Sequence, residues 1–538
     1  MTEKIILALI YLLVVFWLGY KGWRETRKAS DYMLAGRQMN PFVMALSYGA
    51  TFISTSAIIG FGGAAGLFGF PLLWLTFLNI AVGIFIAMVF FGKRTRRMGV
   101  SLDAHTFPEL LGLRYQSRFV QGFSGLVIFL FIPVYAAAVL IAIARMMEVN
   151  LGIPFIWAML IFTAILAVYV ITGGLKAVMY TDAFQGSLMF VMMLILVIFT
   201  YAKLGGITSA HQQLTDLASH LPAALKAGGL MGWTQGAKVG SPLWLIIYTT
   251  IIYGVGIGVL AQPQLAVRFM TVRSDREINR AVLFGGIFIL AMTGIAFVVG
   301  SLSNVIFFAD TGKVAIANTI SSAAPHGNMD QIIPLYITKY MPSWFGTLFL
   351  LAMFAAAMST LSSQYHVGGT SLGRDFYERG VSNRGGNEIM VTRVGVAITI
   401  VVTLFWGLSL PVSVVALATA FFFGLCAASF LPAYVLGLYW KGMTRAGAIV
   451  SMVGGFSASF FFLLFVHGKE AKALGLCQAV FGVDSLALLA DKGSLWWNLQ
   501  FTDPNVIALP VSFILAVVVS WFTPRLKQGH LDVCWRHL

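Results

Sequence analysis

Charge is what this sequence has least of. Of its 538 residues only 10% are Asp, Glu, Lys or Arg, against roughly 25% in soluble domains, and the mean hydropathy is +0.87. An ordinary soluble enzyme is excluded. Acidic side chains are the scarcer sign, 20 against 35 basic ones. The three cysteines, Cys426, Cys477 and Cys534, are too few and too scattered for a disulfide framework or for Cys/His metal spacing. No G-x-x-x-x-G-K-[ST] or H-E-x-x-H occurs, and the single G-x-S-x-G, Gly369 to Gly373, lies inside a membrane window rather than at a strand-to-helix turn, so neither nucleotide-driven work nor hydrolysis has its usual residues. The chain reads as a non-enzyme, with no catalytic residue. Of eight histidines only His366 falls well inside a membrane window, where a hydrogen-bonded structural role outweighs a proton relay.

What the sequence has instead is long apolar windows. A membrane-spanning helix takes about 20 mostly apolar residues. Charge-free windows cover 5–20, 38–92, 119–144, 149–175, 183–202, 239–267, 281–309, 340–373, 394–440, 446–468 and 504–524. Windows 38–92 and 394–440 hold two spans each, breaking at Gly66 to Gly69 and at Leu408-Ser409-Leu410-Pro411, so about thirteen helices are expected. The fold class is all-α integral membrane, in one domain over 1–538. The first window is a retained span, because Lys21, Arg24 and Arg27 stand where a signal peptide would be cleaved.

An odd number of spans separates the termini, and basic residues mark the cytoplasmic side. With the amino terminus outside, 25 of the 35 basic residues and 19 of the 20 arginines fall inside, including the tail 525–538. The net charge of +15 is thus an orientation signal. Spread over short loops, it offers no surface for nucleic acid. The partner this composition demands is a lipid bilayer, and a multi-pass protein of the cell membrane, bacterial inner membrane by expectation, follows. No obligate protein partner is evident.

Two spans carry helix-damaging residues. The second has Ser54, Thr55 and Ser56 followed by glycines at 60, 62, 63, 66 and 69; the seventh has glycines at 254, 256 and 258 and then Pro263. Both are expected to unwind in part, which is tolerated at membrane depth only where backbone lines protein or a watery cavity. Interrupted spans at corresponding positions point to an inverted repeat with a site at the midplane: a first unit of five spans over 38–204, a second over 243–440, an extra span at 5–20 and two more in 446–524. Close packing through small residues is the competing reading.

The ninth span contains AAAMSTLSSQ (355–364). Ala356, Ser359, Thr360 and Ser363 share one helical face with Ser362 beside them. Such an oxygen-rich strip suits a hard cation, although Ser and Thr also bond to their own helix. Asp182, at the edge of the sixth span, needs a cation or water nearby or serves as a helix cap. With the strip, a cation site is the stronger reading.

Four segments in order, TGGLKAVMYTDAFQ (172–185), AQPQLAVRFM (261–270) with RSDREINRA (273–281), the serine strip, and LPAYVLGLYWKGMTRAGA (431–448), resemble the sodium:solute symporter family over about residues 30–450. LAGRQMNPFVMALSYGATFIS (34–54) is similar to the pantothenate-type branch. The resemblance implies a five-plus-five inverted-repeat, leucine-transporter-like core and alternating access driven by sodium. It implies a main Na+ site from the backbone carbonyls of Ala50, Ile53 and Ala356 and the hydroxyls of Ser359 and Thr360. It further implies a second Na+ at Asp182, Ser359, Ser362 and Ser363, hence one or two Na+ per cycle.

By the same resemblance the solute meets Ser54, Thr55, Ser56, Ala57, Asn79, Tyr135, Tyr253 and Gln262. Tyr135 stands where the sialic acid branch has arginine, and Ser56-Ala57 replaces the Glu-Gln pair of the sugar branch. That leaves a small organic solute: a monocarboxylate, a pantothenate-like molecule or an amino acid such as proline. Proton-coupled symport by the same fold, a transporter-like sensor without net transport and a passive channel remain the alternatives; the last lacks a ring of like charges.

Overall fold

The computed structural model of the protein describes residues 2–25, 29–382 and 388–536; Arg27, Lys28, Arg384 and His537 lie outside the described residues. Helix α1 (Thr2–Glu25) is followed by a bent pair, α2 (Pro41–Phe52) and α3 (Ser56–Phe68), whose axes meet at 48°. Then come α4 (Phe70–Ser101), α5 (Arg118–Leu151), α6 (Phe155–Lys203), α7 (Pro242–Ala261) and α8 (Pro263–Phe269). Helices α9 (Asp275–Thr311), α10 (Ser343–Val381), α11 (Glu388–Ser409), α12 (Val415–Tyr439), α13 (Arg445–Phe465) and α14 (Asn505–Phe522) complete the bundle. Among the described residues ten helices are long and apolar enough to span a membrane, eleven with the bent pair counted as one. α1 and the apolar stretch Phe155–Val168 cover the two remaining windows. Windows 149–175 and 183–202 are continuous in α6, with Leu175–Lys203 the spanning part.

Burial separates centre from periphery. The apolar windows of α10 and α12 are 89% buried, those of α11 and α14 only 33%. The outer helices leave Val401, Phe405, Trp521 and Phe522 exposed, apolar surface that only lipid or another protein can cover. α2 packs among α6, α9 and α10, while α13 and α14 pack on each other and on α12.

The breaks do not fall where the glycines are. α2 stops at Phe52, and the next backbone bonds close on Ser54, whose carbonyl and hydroxyl accept the Ala57 N–H at 3.0 and 3.3 Å. Serine thereby offers the backbone an alternative to continuing the helix. α7 stops before Gln262, which is extended (φ −74°, ψ 115°), as the residue ahead of Pro263 must be. The glycines stay helical and act as contact points: a Cβ on Gly63 would lie 2.1 Å from the Met329 carbonyl oxygen, and one on Gly258 2.6 Å from that of Phe423. Tight packing, the reading set second for these residues, accounts for them.

Gly69 alone in the first stretch needs a positive φ, +85°. There α3 turns under a two-stranded antiparallel hairpin, Leu230–Gly232 with Gly236–Ala237. Its buried Trp233 donates from Nε1 to the Gly66 carbonyl at 3.0 Å, and the Phe70 N–H donates to the Trp233 carbonyl at 2.7 Å.

Candidate functional site

The last carbonyls of a helix have no partner within it, and at the end of α2 they find none from the chain beyond. Among the described residues no backbone N–H bonds to the carbonyls of Ala50, Thr51, Phe52 or Ile53. Facing them is α10. The Thr360 hydroxyl donates to the carbonyls of Ala50 and Thr51, 3.3 Å from each. Ser359 is fully buried and its hydroxyl faces the Asp182 carboxylate without completing a hydrogen bond; Ala356, one turn earlier on the same face, is equally buried. Freed carbonyls and hydroxyls, without a carboxylate, make a ligand set for a hard monovalent cation.

One turn deeper the cluster changes character. Asp182, fully buried, faces the Arg268 guanidinium at 3.0 Å. Its Oδ2 also accepts from the Ser47 hydroxyl at 2.6 Å. Arg268 comes from α8, one turn past the break at Gln262, and is itself buried. It donates to Ser47 at 2.9 Å, to Thr51 at 2.5 Å, to Ser363 at 2.6 Å and to the Gln264 carbonyl at 2.5 Å. Residues from α2, α6, α8 and α10 thus converge on one guanidinium.

A second Na+ at Asp182, Ser359, Ser362 and Ser363 would share this carboxylate with Arg268. Ser362 and Ser363 both donate to the Ser359 carbonyl at 3.0 Å, and Arg268 already stands between Asp182 and Ser363. Two cations on one carboxylate repel. Arg268 was missed because it follows the charge-free seventh window, where a basic residue reads as loop charge.

A third group of residues surrounds a small cavity of about 20 Å³ beside the α2–α3 break, room for about one water. Ile53, Ser54, Ser56, Ala57, Asn79 and Tyr135 line it. Ser54 and Ser56 hydrogen-bond to each other at 2.5 Å, with the Tyr135 hydroxyl directed at both. The Asn79 Oδ1 is buried without a partner. Thr55 is buried with its hydroxyl unpartnered, outside the lining.

Two residues expected here lie elsewhere. Tyr253 is half-buried on α7, within electrostatic reach of Asp503. Gln262 ties the second break together, donating to the Gly258 carbonyl at 3.2 Å and accepting from Gln264 at 3.0 Å. Eight lining residues were not anticipated: Phe52, Phe61, Leu75 and Val255, with Thr293 and Phe297 from α9 and Thr419 and Phe423 from α12. A lone threonine in an apolar run gives no local signal, and only the closeness of α12 to α7 at Gly258 brings Thr419 to the break.

The comparisons agree with this architecture. A model of the sodium:solute symporter family matches residues 32–455. The sodium/pantothenate symporter of Haemophilus influenzae is 29% identical over 463 residues, 85% of this chain and 89% of its own. The osmoregulated proline transporter OpuE of Bacillus subtilis is 27% identical over 488 residues, 90% and 92% of the two chains. A solved structure of a Na+-coupled sialic acid symporter, substrate-bound and outward-open, superposes with a TM-score of 0.72 at 18% identity and covers 98% of each chain; Mhp1, a nucleobase-cation-symport-1 family transporter, gives 0.50 at 15%, covering 94% of this chain and 99% of its own. These relatives are transporters rather than enzymes, and the matched span runs through both helical breaks, Asp182, Arg268 and the hydroxyl strip: the chain belongs to the sodium:solute symporter family.

Proposed function

We propose that this protein is a secondary active transporter of the cell membrane that couples an inward sodium gradient to symport of a small organic solute, by alternating access of two five-span inverted repeats. Sodium sits at the α2 break, on the carbonyls of Ala50, Ile53 and Ala356 and the hydroxyls of Ser359 and Thr360. The observation that carries this is the Thr360 hydroxyl reaching the orphan carbonyls of α2, with the buried Ser359 hydroxyl beside it between that break and Asp182. An ion there ties α2 to α10 and shapes the adjoining pocket, so solute and sodium tighten each other by the same factor.

We further propose one sodium per cycle, with Arg268 serving as the tethered cation at Asp182. The solute is a monocarboxylate, a pantothenate-like molecule or an amino acid such as proline, lying among Ser54, Ser56, Asn79, Tyr135 and Thr419. The names of the relatives support that range, and the pocket's neutral polar lining favours hydroxyls and amides over a charged clamp. The arginine count places the amino terminus outside.

Uptake of labelled pantothenate, L-proline and acetate into proteoliposomes tests the reading. Accumulation of at least one against its gradient, with inward sodium and not with an inward proton gradient alone, is expected. Accumulation driven by protons without sodium would replace the ion, and equilibration without accumulation would make the protein a passive channel or a sensor.

A further inference from the structure

Away from the central pocket a larger cavity opens between α7, α12 and the loop joining α13 to α14. Its wide part, about 280 Å³, is lined by Thr250, His467, Lys469 and Gln500 among others; a narrower inner part adds Gly424 and Asp503. Thr250, Leu417, His467 and Glu470 line both parts, so they are one space. That volume is at the lower end for a small-molecule site and suits a metabolite.

The inner end is built of buried polar groups without partners. The Thr250 hydroxyl and the His467 Nε2 make no hydrogen bond, although both residues are only 8% exposed; Asn505, outside the lining, has its side chain against Asp503. Buried polar groups are almost always paired. Two unpaired atoms in one cavity wall, beside a buried carboxylate, are groups kept for something that enters it. The backbone makes room for them: a Cβ on Gly254 would lie 3.0 Å from the Asp503 Oδ2, and one on Gly424 2.8 Å from the Asn505 Nδ2.

The charges decide the ligand class. His467 pairs with Glu470, and Lys472 with Asp484 at 3.0 Å. Asp503 at the inner end and Lys469 at the mouth have no ion pair among the described residues. Asp503 is fixed by the Asn505 N–H, which donates to its Oδ1 at 2.9 Å, and by its own N–H, which donates to Thr249 at 2.9 Å. We propose that this cavity is a second solute site that takes a small zwitterion, its ammonium group on Asp503 and its carboxylate toward Lys469.

The site joins three parts of the protein. Asp503 precedes α14, yet its carboxylate rests against α7 just above the second break and beside α12, which walls the central pocket. A zwitterion held there waits on the side that the arginine count makes extracellular. Binding needs neither sodium nor the α2 break, so it stands apart from the reading of the central site.

Burial pushes the Asp503 carboxyl up to about 7. The titratable groups facing it are His467, Glu470 and Tyr253. An ammonium ligand favours the ionised carboxylate, so affinity is level above that pH and falls toward tenfold per unit below it.

The test is equilibrium binding to the full-length protein in nanodiscs, in sodium-free potassium buffer at pH 8. The probes are L-proline, pyrrolidine as its ammonium half and cyclopentanecarboxylate as its carboxylate half. L-Proline is expected to bind at least about tenfold more tightly than either half, the ratio that one charge-assisted contact gives. Asp503→Asn weakens L-proline about tenfold and removes the pH dependence. Lys469→Gln, at an exposed position, weakens L-proline but leaves pyrrolidine unchanged. Thermal unfolding of each variant shows whether it is folded, and Lys469→Gln carries the test if Asp503→Asn is not. Sodium-free binding that is absent, unchanged in Lys469→Gln, or equally strong for pyrrolidine would overturn the proposal.

Discussion

The Arg268 guanidinium lies 3.0 Å from the Asp182 carboxylate, both side chains essentially excluded from solvent. The pair links the helix that follows the second break to α6, and through Ser47, Thr51 and Ser363 to α2 and α10. A fixed positive charge thus sits one turn below the place assigned to sodium.

Removing one partner of such a pair strands a buried charge and costs about 3–5 kcal/mol. Asp182→Asn is therefore expected to lower thermal stability sharply as well as to abolish uptake, and Arg268→Gln likewise. The double variant should regain a large part of the lost stability, since neither charge is then stranded. A double-mutant cycle from unfolding in detergent measures the coupling; additive losses would show that the two groups do not act as a pair.

Glu109 supplies a pH prediction outside the membrane. Burial raises its carboxyl, but the His105 hydrogen bonds and the Arg374 charge outweigh burial and hold it near about 2. Arg374 grips it from α10 at 2.7 and 3.0 Å. A depressed carboxyl stabilises the fold above its ordinary value and loses that stability as pH falls through the folded one. Roughly 3 kcal/mol should disappear between about pH 4.5 and 2, and Glu109→Gln should lack that part of the acid dependence. Parallel melting curves for the two proteins over this range would contradict the assignment.

Gly63 tests the packing account of the glycines. A methyl group there would meet backbone rather than a movable side chain, so Gly63→Ala should destabilise by about 1–3 kcal/mol despite the better helix propensity of alanine. A glycine needed for unwinding would be affected in transport first, with stability unchanged or improved. Unfolding and uptake measured on the same preparation distinguish the two.

Much of this was legible in the residues. Charge-free windows marked the membrane helices, and the cluster at Ser54, Thr55 and Ser56 marked the first break. The strip at Ser359 to Ser363 marked the face that meets it. What stayed hidden was long-range. Arg268 stands at a window edge, where a charge reads as topology, and nothing local says that a residue 86 positions after Asp182 folds back to join it. Thr419 and Phe423 reach the pocket only because α12 packs on the broken α7. The glycines misled because one residue type serves two purposes, bending a backbone and admitting a neighbour, and a sequence does not distinguish them.

The central claim is that sodium binds at the α2 break. Saturable binding of radioactive sodium to the purified protein tests it most directly. One ion per chain is predicted, with affinity lowered at least tenfold, about 1.4 kcal/mol, in Ser359→Ala with Thr360→Ala and unchanged in Lys469→Gln. Sodium bound with the same affinity after both hydroxyls are removed, or no saturable sodium at all, would contradict the account.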